Sequence, residues 1–223
     1  MKNLRQLLYG YFTITTNGLP TSHPFWQDGK LCATNGKVLI RISETIVSTD
    51  NNNLPMDLIN EDRKVPNTQS VIPECTLCIP LNKDTLVKAI QKAELVDEHI
   101  ICEDCNGEGT VEWEYQSLDG TWHTKDDKCP VCNGTGELGT TGKEIPDPKQ
   151  VYKINETFFS CKDLKWLLDV MEEMEVEQLF IRAFRQHLMM LTADETTNVE
   201  IIIASVNKDE RDKNIITIPL PSQ

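Results

Sequence analysis

No apolar run in this chain approaches the roughly 20 residues that a membrane-spanning helix needs. The N-terminus, MKNLRQLLYGYF, is too short and too polar for a signal peptide, so the expectation is a cytoplasmic protein with no membrane partner. Basic charge is scarce: 22 Lys and Arg face 35 Asp and Glu, a formal net charge of −13. Such a chain does not adhere to nucleic acid by bulk attraction, because phosphate binding needs local Lys and Arg, although a basic face can exist on an acidic protein. Also missing are a Gly-x-Gly-x-x-Gly turn, a Walker loop and a nucleophile elbow. No set of nucleophile, base and oxyanion donor can be assembled, and the expectation is a protein that is not an enzyme.

What the chain does have is cysteine, eight in 223 residues. Four of them sit in a motif written twice, CEDCNGEG at 102–109 and CPVCNGTG at 129–136, with 23 residues between the two pairs. In a reducing compartment this spacing favours metal over disulfides. A Cys-x-x-Cys turn puts two sulfurs on one side of a tight knuckle, and two knuckles complete a four-thiolate shell of the kind zinc takes in structural sites. Cys102, Cys105, Cys129 and Cys132 are therefore the expected ligands of one zinc ion. Gly107 and Gly134 follow at equal offsets, where the chain must turn sharply with positive φ and free N–H groups for the sulfurs. Gly109 and Gly136 let the chain leave each turn. The alternative is two independent redox dithiols, around which nothing like a thioredoxin unit is written. A catalytic zinc needs an open position that four thiolates do not leave. The zinc-deaminase pattern fails because Ile100 and Ile101 follow His99 and Lys128 precedes Cys129.

Between the knuckles, Val111, Trp113 and Tyr115 alternate with Glu112 and Glu114, a strand period. Ser117-Leu118-Asp119-Gly120 signals a turn, and Thr121-Trp122-His123 starts a return strand. The insert reads as a zinc-stapled β-hairpin, to whose folding the metal contributes on the order of 10 kcal/mol. The aromatics either stack on bases or pack on the knuckles. His123 lies near enough to stand in for a ligand. Cys75 and Cys78, in VIPECTLCIPL, read as packing cysteines of a strand, and Cys32 and Cys161 as core.

The knuckles resemble the cysteine-rich region of the DnaJ cochaperones over about residues 101–137. That family carries four such repeats and two zincs, whereas this chain has two repeats. A J-domain needs His-Pro-Asp, and the only His-Pro here, His23-Pro24, is followed by Phe25. The resemblance implies the metal geometry and not the chaperone function.

The rest of the chain repeats itself. KVPNTQSV (64–71) matches EIPDPKQV (144–151), and each leads to a strand and a helix. The first helix, NKDTLVKAIQKAE, gathers Leu86, Val87, Ala89, Ile90 and Ala93 on one face. The second, CKDLKWLLDVMEEM, gathers Leu164, Leu167, Leu168, Met171 and Met174. EQLFIRAF, HLMMLTA and NVEIIIASV then read as three strands. The fold class expected is α+β: repeated strand-helix-strands units over residues 1–101 and 138–223, with a zinc-binding hairpin insert at 102–137. Within 13–30 and 44–64, GLPTSHPFW and STDNNNLPMDLINEDRK carry turn residues and no period.

This frame resembles the bacterial sliding clamp, the ring subunit of the replicative polymerase. GKLCATNGKVLIRI is similar to the clamp's early strands, with Ala33-Thr34-Asn35-Gly36 as the turn. VPNTQSVIP and IPDPKQVY are similar to its Tyr-Pro-Asp-Tyr segment, and FFSCKDLKWLLDVMEEMEVEQLFIRAF to the closing helix-strand unit of a clamp domain. A clamp ring needs six domains, and this chain has about one. The resemblance implies DNA or a replication protein as partner, and helix lysines facing DNA: Lys83, Lys88, Lys92, Lys162 and Lys165. Asp84 and Lys88 are equally a plain i, i+4 pair, and the second helix also carries Asp163, Asp169, Glu172 and Glu173. The other class of function left open is a protein-interaction module that uses the zinc hairpin and binds no DNA.

Overall fold

Alternating apolar residues dominate the chain, and strands dominate the structure. In this computed structural model, residues 4–13, 23–49, 67–185, 187–196, 198–206 and 214–221 are described. Much of the two segments without a period, at 13–30 and 44–64, lies outside them. Helix α1 (Leu4–Leu7) continues as a π-helical turn through Phe12. Strands β1 (Phe25–Gln27), β2 (Lys30–Thr34) and β3 (Val38–Ser43) form a meander, followed by α2 (Glu44–Thr49). Strand β4 (Ile79–Asn82) runs directly into α3 (Lys83–Ile90). Four strands follow: β5 (Leu95–Ile101), β6 (Thr110–Gln116), β7 (Trp122–Lys128) and β8 (Glu137–Pro146). The chain then forms the hairpin β9 (Val151–Ile154) and β10 (Thr157–Ser160), helix α4 (Cys161–Glu173), and strands β11 (Gln178–Arg185), β12 (Leu188–Thr192), β13 (Val199–Ala204) and β14 (Ile215–Ile218).

Two compact units result, one of residues 1–93 and 148–223, the other Glu94–Asp147. The second is wider than the 102–137 insert read from the motif, because β5 and β8 pair with each other and, among the described residues, with no other strand. The first helix is therefore not followed by a meander of its own, and the two strand-helix units are unequal.

In the first unit a seven-stranded antiparallel sheet runs β1-β2-β3-β13-β12-β11-β4. Its register lines up Ala33, Ile40, Ile201, Leu191, Ile181 and Ile79 across six strands. All six belong to the main buried cluster, with Leu4, Leu8, Phe12, Leu164, Leu167 and Met171 covering them. Each of these except the small Ala33 contributes about 1.5–3 kcal/mol on leaving water. Helix α4 earns its place through this face and through its start. The Ser160 hydroxyl accepts from the Asp163 N–H, and the Asp163 carboxylate accepts from the Ser160 N–H, a reciprocal cap. Val170 is buried where Leu168 was expected, and Leu168 is only partly covered. The three-stranded sheet β10-β9-β14 has β14 parallel to β9.

The opposite face of the large sheet carries a polar row. Arg41 on β3 stands beside Glu200 on β13, with Arg41 Nη1 at 3.0 Å from Glu200 Oε2 and Lys30 Nζ at 2.9 Å from Oε1. Nearby, Phe25, Cys32, Leu39, Ala183, Met190 and Ile202 form a smaller buried cluster. Strand β11 bulges at Arg182, between Ile181 and Ala183. The carbonyl that the bulge frees accepts from Thr76 N (3.0 Å) and Leu77 N (2.9 Å). This anchors segment 72–78 outside any strand, and it corrects the reading of Cys75 and Cys78. Both are exposed, and the N–H groups of Thr76 and Leu77 between them go to one carbonyl rather than to a ladder. Cys32 and Cys161 are buried as expected.

Candidate metal centre

The two knuckles of the second unit are copies in three dimensions. In the first, Gly107 N donates to Cys102 O (3.1 Å) and Glu108 N to Cys105 O (2.8 Å). In the second, Gly134 N donates to Cys129 O (3.1 Å) and Thr135 N to Cys132 O (3.1 Å). Asn106 and Asn133 take left-handed conformations at φ 49° and 54°, followed by Gly107 and Gly134 at 83° and 86°. Asparagine tolerates this region and glycine enters it freely, which is what the shared Cys-Asn-Gly order supplies. Gly109 N and Gly136 N each donate to the second sulfur of their own knuckle at 3.2 Å.

The knuckles also interlock. Cys102 N donates to Gly136 O at 2.9 Å, and Cys129 N to Gly109 O at 2.8 Å. A Cβ on Gly109 would strike the carbonyl of Gly134, and one on Gly136 the carbonyl of Gly107. These glycines are therefore required for the approach of two backbones, a role beyond the exit from a turn. The matching offsets in both copies were the only sequence signal for it.

The approach brings the four sulfurs together. Cys102 Sγ lies 3.8 Å from Cys129 Sγ, Cys105 Sγ lies 3.7 Å from Cys132 Sγ, and all four are within 4.8 Å of one another. All four residues are buried, with Val111 packed against them. A tetrahedron of sulfurs about 2.3 Å from a metal has edges of about 3.8 Å, so this cluster can hold a metal ion. Without metal, the thiols are unequal. Burial pushes Cys132 up, but the N–H groups of Gly136 and Gly134 and the neighbouring thiols outweigh it and bring it down to about 6. Burial and the other three thiols carry Cys102 up to about 12.

Strands β6 and β7 pair in unbroken register from Thr110↔Lys128 to Gln116↔Trp122. The turn between them is organised by Asp119, whose carboxylate accepts from the Ser117 hydroxyl and from Thr121 N at 3.1 Å. His123 is not among the sulfurs. Its ring stacks on Tyr115 at 5.2 Å between centroids. Of the two fates considered for the aromatics, packing on the knuckles is not what is seen: Trp113, Tyr115 and Trp122 are 50%, 52% and 65% exposed.

The helix lysines lie in the first unit. Lys88 pairs with Asp84 at 2.7 Å. Lys92 and Lys162 are exposed, while Lys83 and Lys165 are half-buried. Helical spacing puts Lys162 and Lys165 on the same outward face as Asp169 and Glu172, so α4 presents mixed charge. The partial burial of Asp169, with Glu172 beside it, raises the Asp169 carboxyl against the pull of Lys165.

No family model matches the chain, and no curated protein matches it. Among solved structures, the chain is similar to a DNA polymerase sliding clamp from Pseudomonas aeruginosa, with 10% identity and a TM-score of 0.46 over 92% of this chain and 63% of that one. The Bacillus subtilis sliding clamp gives 15% identity and a TM-score of 0.46, covering 93% and 62%. The Caulobacter crescentus clamp gives 14% and 0.41, covering 91% and 63%. The chain thus spans less than two thirds of the length of the clamps it matches.

Proposed function

We propose that this chain is a non-enzymatic accessory protein in which one zinc ion, held by Cys102, Cys105, Cys129 and Cys132, braces an exposed recognition ribbon, and that it works in association with DNA or a replication protein. The observation that carries the reading is the four-sulfur cluster, with edges of 3.7 and 3.8 Å. Soft thiolate donors in a tetrahedral set suit zinc. A donor set that is already complete leaves no position for a substrate or a water, which favours a structural ion over a catalytic one. The association with DNA is supported by the sequence resemblance to sliding clamps.

Purification without added metal, followed by elemental analysis, tests the first part. One zinc per chain is expected. Iron at that stoichiometry, or no metal with four freely reactive thiols, overturns it. Binding to duplex and single-stranded DNA over a salt series tests the second, since phosphate contacts give a steep fall of affinity with salt.

A second reading, a protein-interaction module without DNA binding, is favoured by how charge divides. Of the chain's 35 acidic and 22 basic residues, 14 and 3 fall within 94–147, leaving 21 and 19 elsewhere. The unit that holds the metal therefore repels phosphate far more than the frame does.

A further inference from the structure

Beyond Val111, which packs on the cysteines at its base, ribbon β6–β7 has both faces exposed. A two-stranded hairpin is marginal by itself in water, and large aromatic side chains on it have nothing to bury against. The register sorts its side chains. Trp113 and Tyr115 share one face with Lys125 and His123, where Lys125 is engaged with Asp127 at 3.1 Å and His123 with the Tyr115 ring. Trp122 shares the other face with Glu112, Glu114 and Asp126. There Glu112 stands directly across from Asp126, a pairing of like charges that costs stability in an isolated sheet. None of these three carboxylates has an ion-pair partner among the described residues, and Trp122, the most exposed of the three aromatics, stands on the same face at the next rung after Glu114.

We infer that this second face is a docking surface for a Lys/Arg-rich segment of a partner protein. Charge complementarity selects the occupant. A guanidinium bridging Glu112 and Asp126 relieves their repulsion and makes paired, charge-assisted hydrogen bonds. A second cation over the Trp122 ring gains a cation–π contact, and its stem covers the indole. A nucleic-acid strand also stacks on indoles, but its phosphates meet three carboxylates here against one cation, Lys128 at the base of the same face. The inference rests on the reading of the metal-braced ribbon as a recognition element, and it names the partner's chemistry and the face used.

The test uses the full zinc-loaded chain and a fluorescent peptide of eight Arg-Ser dipeptides, with a 20-nucleotide oligo-dT as competitor. Zinc content is measured on every sample. Trp122→Ser and the triple variant Glu112→Gln, Glu114→Gln, Asp126→Asn are each expected to weaken peptide binding at least tenfold at moderate salt. Trp113→Ser, on the other face, and the frame control Glu74→Gln, Glu172→Gln, Glu195→Gln are expected to stay within twofold of the unaltered chain. Equal weakening by the frame control means attraction to bulk acid and overturns the proposal. So does insensitivity to Trp122→Ser, a larger effect of Trp113→Ser, or preference for oligo-dT. With one zinc per chain and no peptide bound, the docking surface fails while the metal reading stands. An unaltered chain without zinc removes the reading beneath it, and the proposal with it.

Discussion

The amide of Cys102 donates to the carbonyl of Gly136 at 2.9 Å, tying the first residue of one knuckle to the last residue of the other. The reciprocal bond from Cys129 to Gly109 closes the pair. The backbone thus ties together the junction at which the four sulfurs meet, and a metal held there can be perturbed separately from it.

Substituting the glycines at the crossing tests the backbone part. Gly136→Ala places a methyl against the Gly107 carbonyl at a φ of +79°, whereas Gly142→Ala, at φ +75°, meets only open space. The second change carries the backbone cost alone, about 1–2 kcal/mol. The first adds steric displacement of the opposite knuckle and is expected to weaken metal affinity by more than tenfold. Competition against a chromophoric chelator measures both, and equal effects would remove the role given to close approach.

Acid is expected to remove the proposed metal before it unfolds the frame. Ligation requires thiolates, and the metal-free cluster holds the Cys102 proton up to about pH 12. Metal uptake at neutral pH therefore releases protons, and affinity falls as pH falls. Mild acid or a chelator is expected to collapse amide-exchange protection in residues 102–136 while the seven-stranded sheet keeps its own. A frame that loses protection in step with the knuckles contradicts this.

Glu200 is nearly buried between Lys30 and Arg41. Glu200→Gln leaves Arg41 charged and only partly paired, at a cost of about 3 kcal/mol in urea unfolding of the frame. The double variant Arg41→Met, Glu200→Met removes both charges and is expected to recover most of that loss. If the two variants unfold at the same urea concentration, the pair is not what sets the cost.

The turn of the ribbon has its own titration. The Ser117 hydroxyl first, then Thr121, hold the Asp119 carboxyl below its ordinary value of 3.8. A depressed folded-state value means that the turn is fully supported above pH 3.8 and loses that support as pH drops through the lowered midpoint. Ser117→Ala is expected to move the midpoint back up, read from the Asp119 side-chain carbon shift by NMR.

Local patterns in the sequence reached the four-cysteine cluster and the late strands, because both are written over a few residues. The Cys-x-x-Cys-Asn-Gly order forces its own turn. Leu164, Leu167 and Met171 recur at helical spacing behind a Ser160 cap. What was not legible depends on partners far along the chain. Cys75 and Cys78 looked like strand cysteines, yet the Arg182 bulge, more than a hundred residues away, takes the N–H groups of Thr76 and Leu77. The pairing of β5 with β8 was hidden for a related reason. Leu95, Ile100, Ile101 and Leu138 are exposed, so no alternation marks a buried face. The register there also slips between Asp97 and His99 and again before Ile101.

The margins of the seven-stranded sheet bear on self-association. Its outermost strands are β1, with three residues, and β4, with four, one of which is Pro80. A proline brings no amide hydrogen, and so few rungs offer a neighbouring chain little to extend. An assembly of copies built through this sheet must then be glued by side chains rather than by continuing its ladder from one molecule into the next.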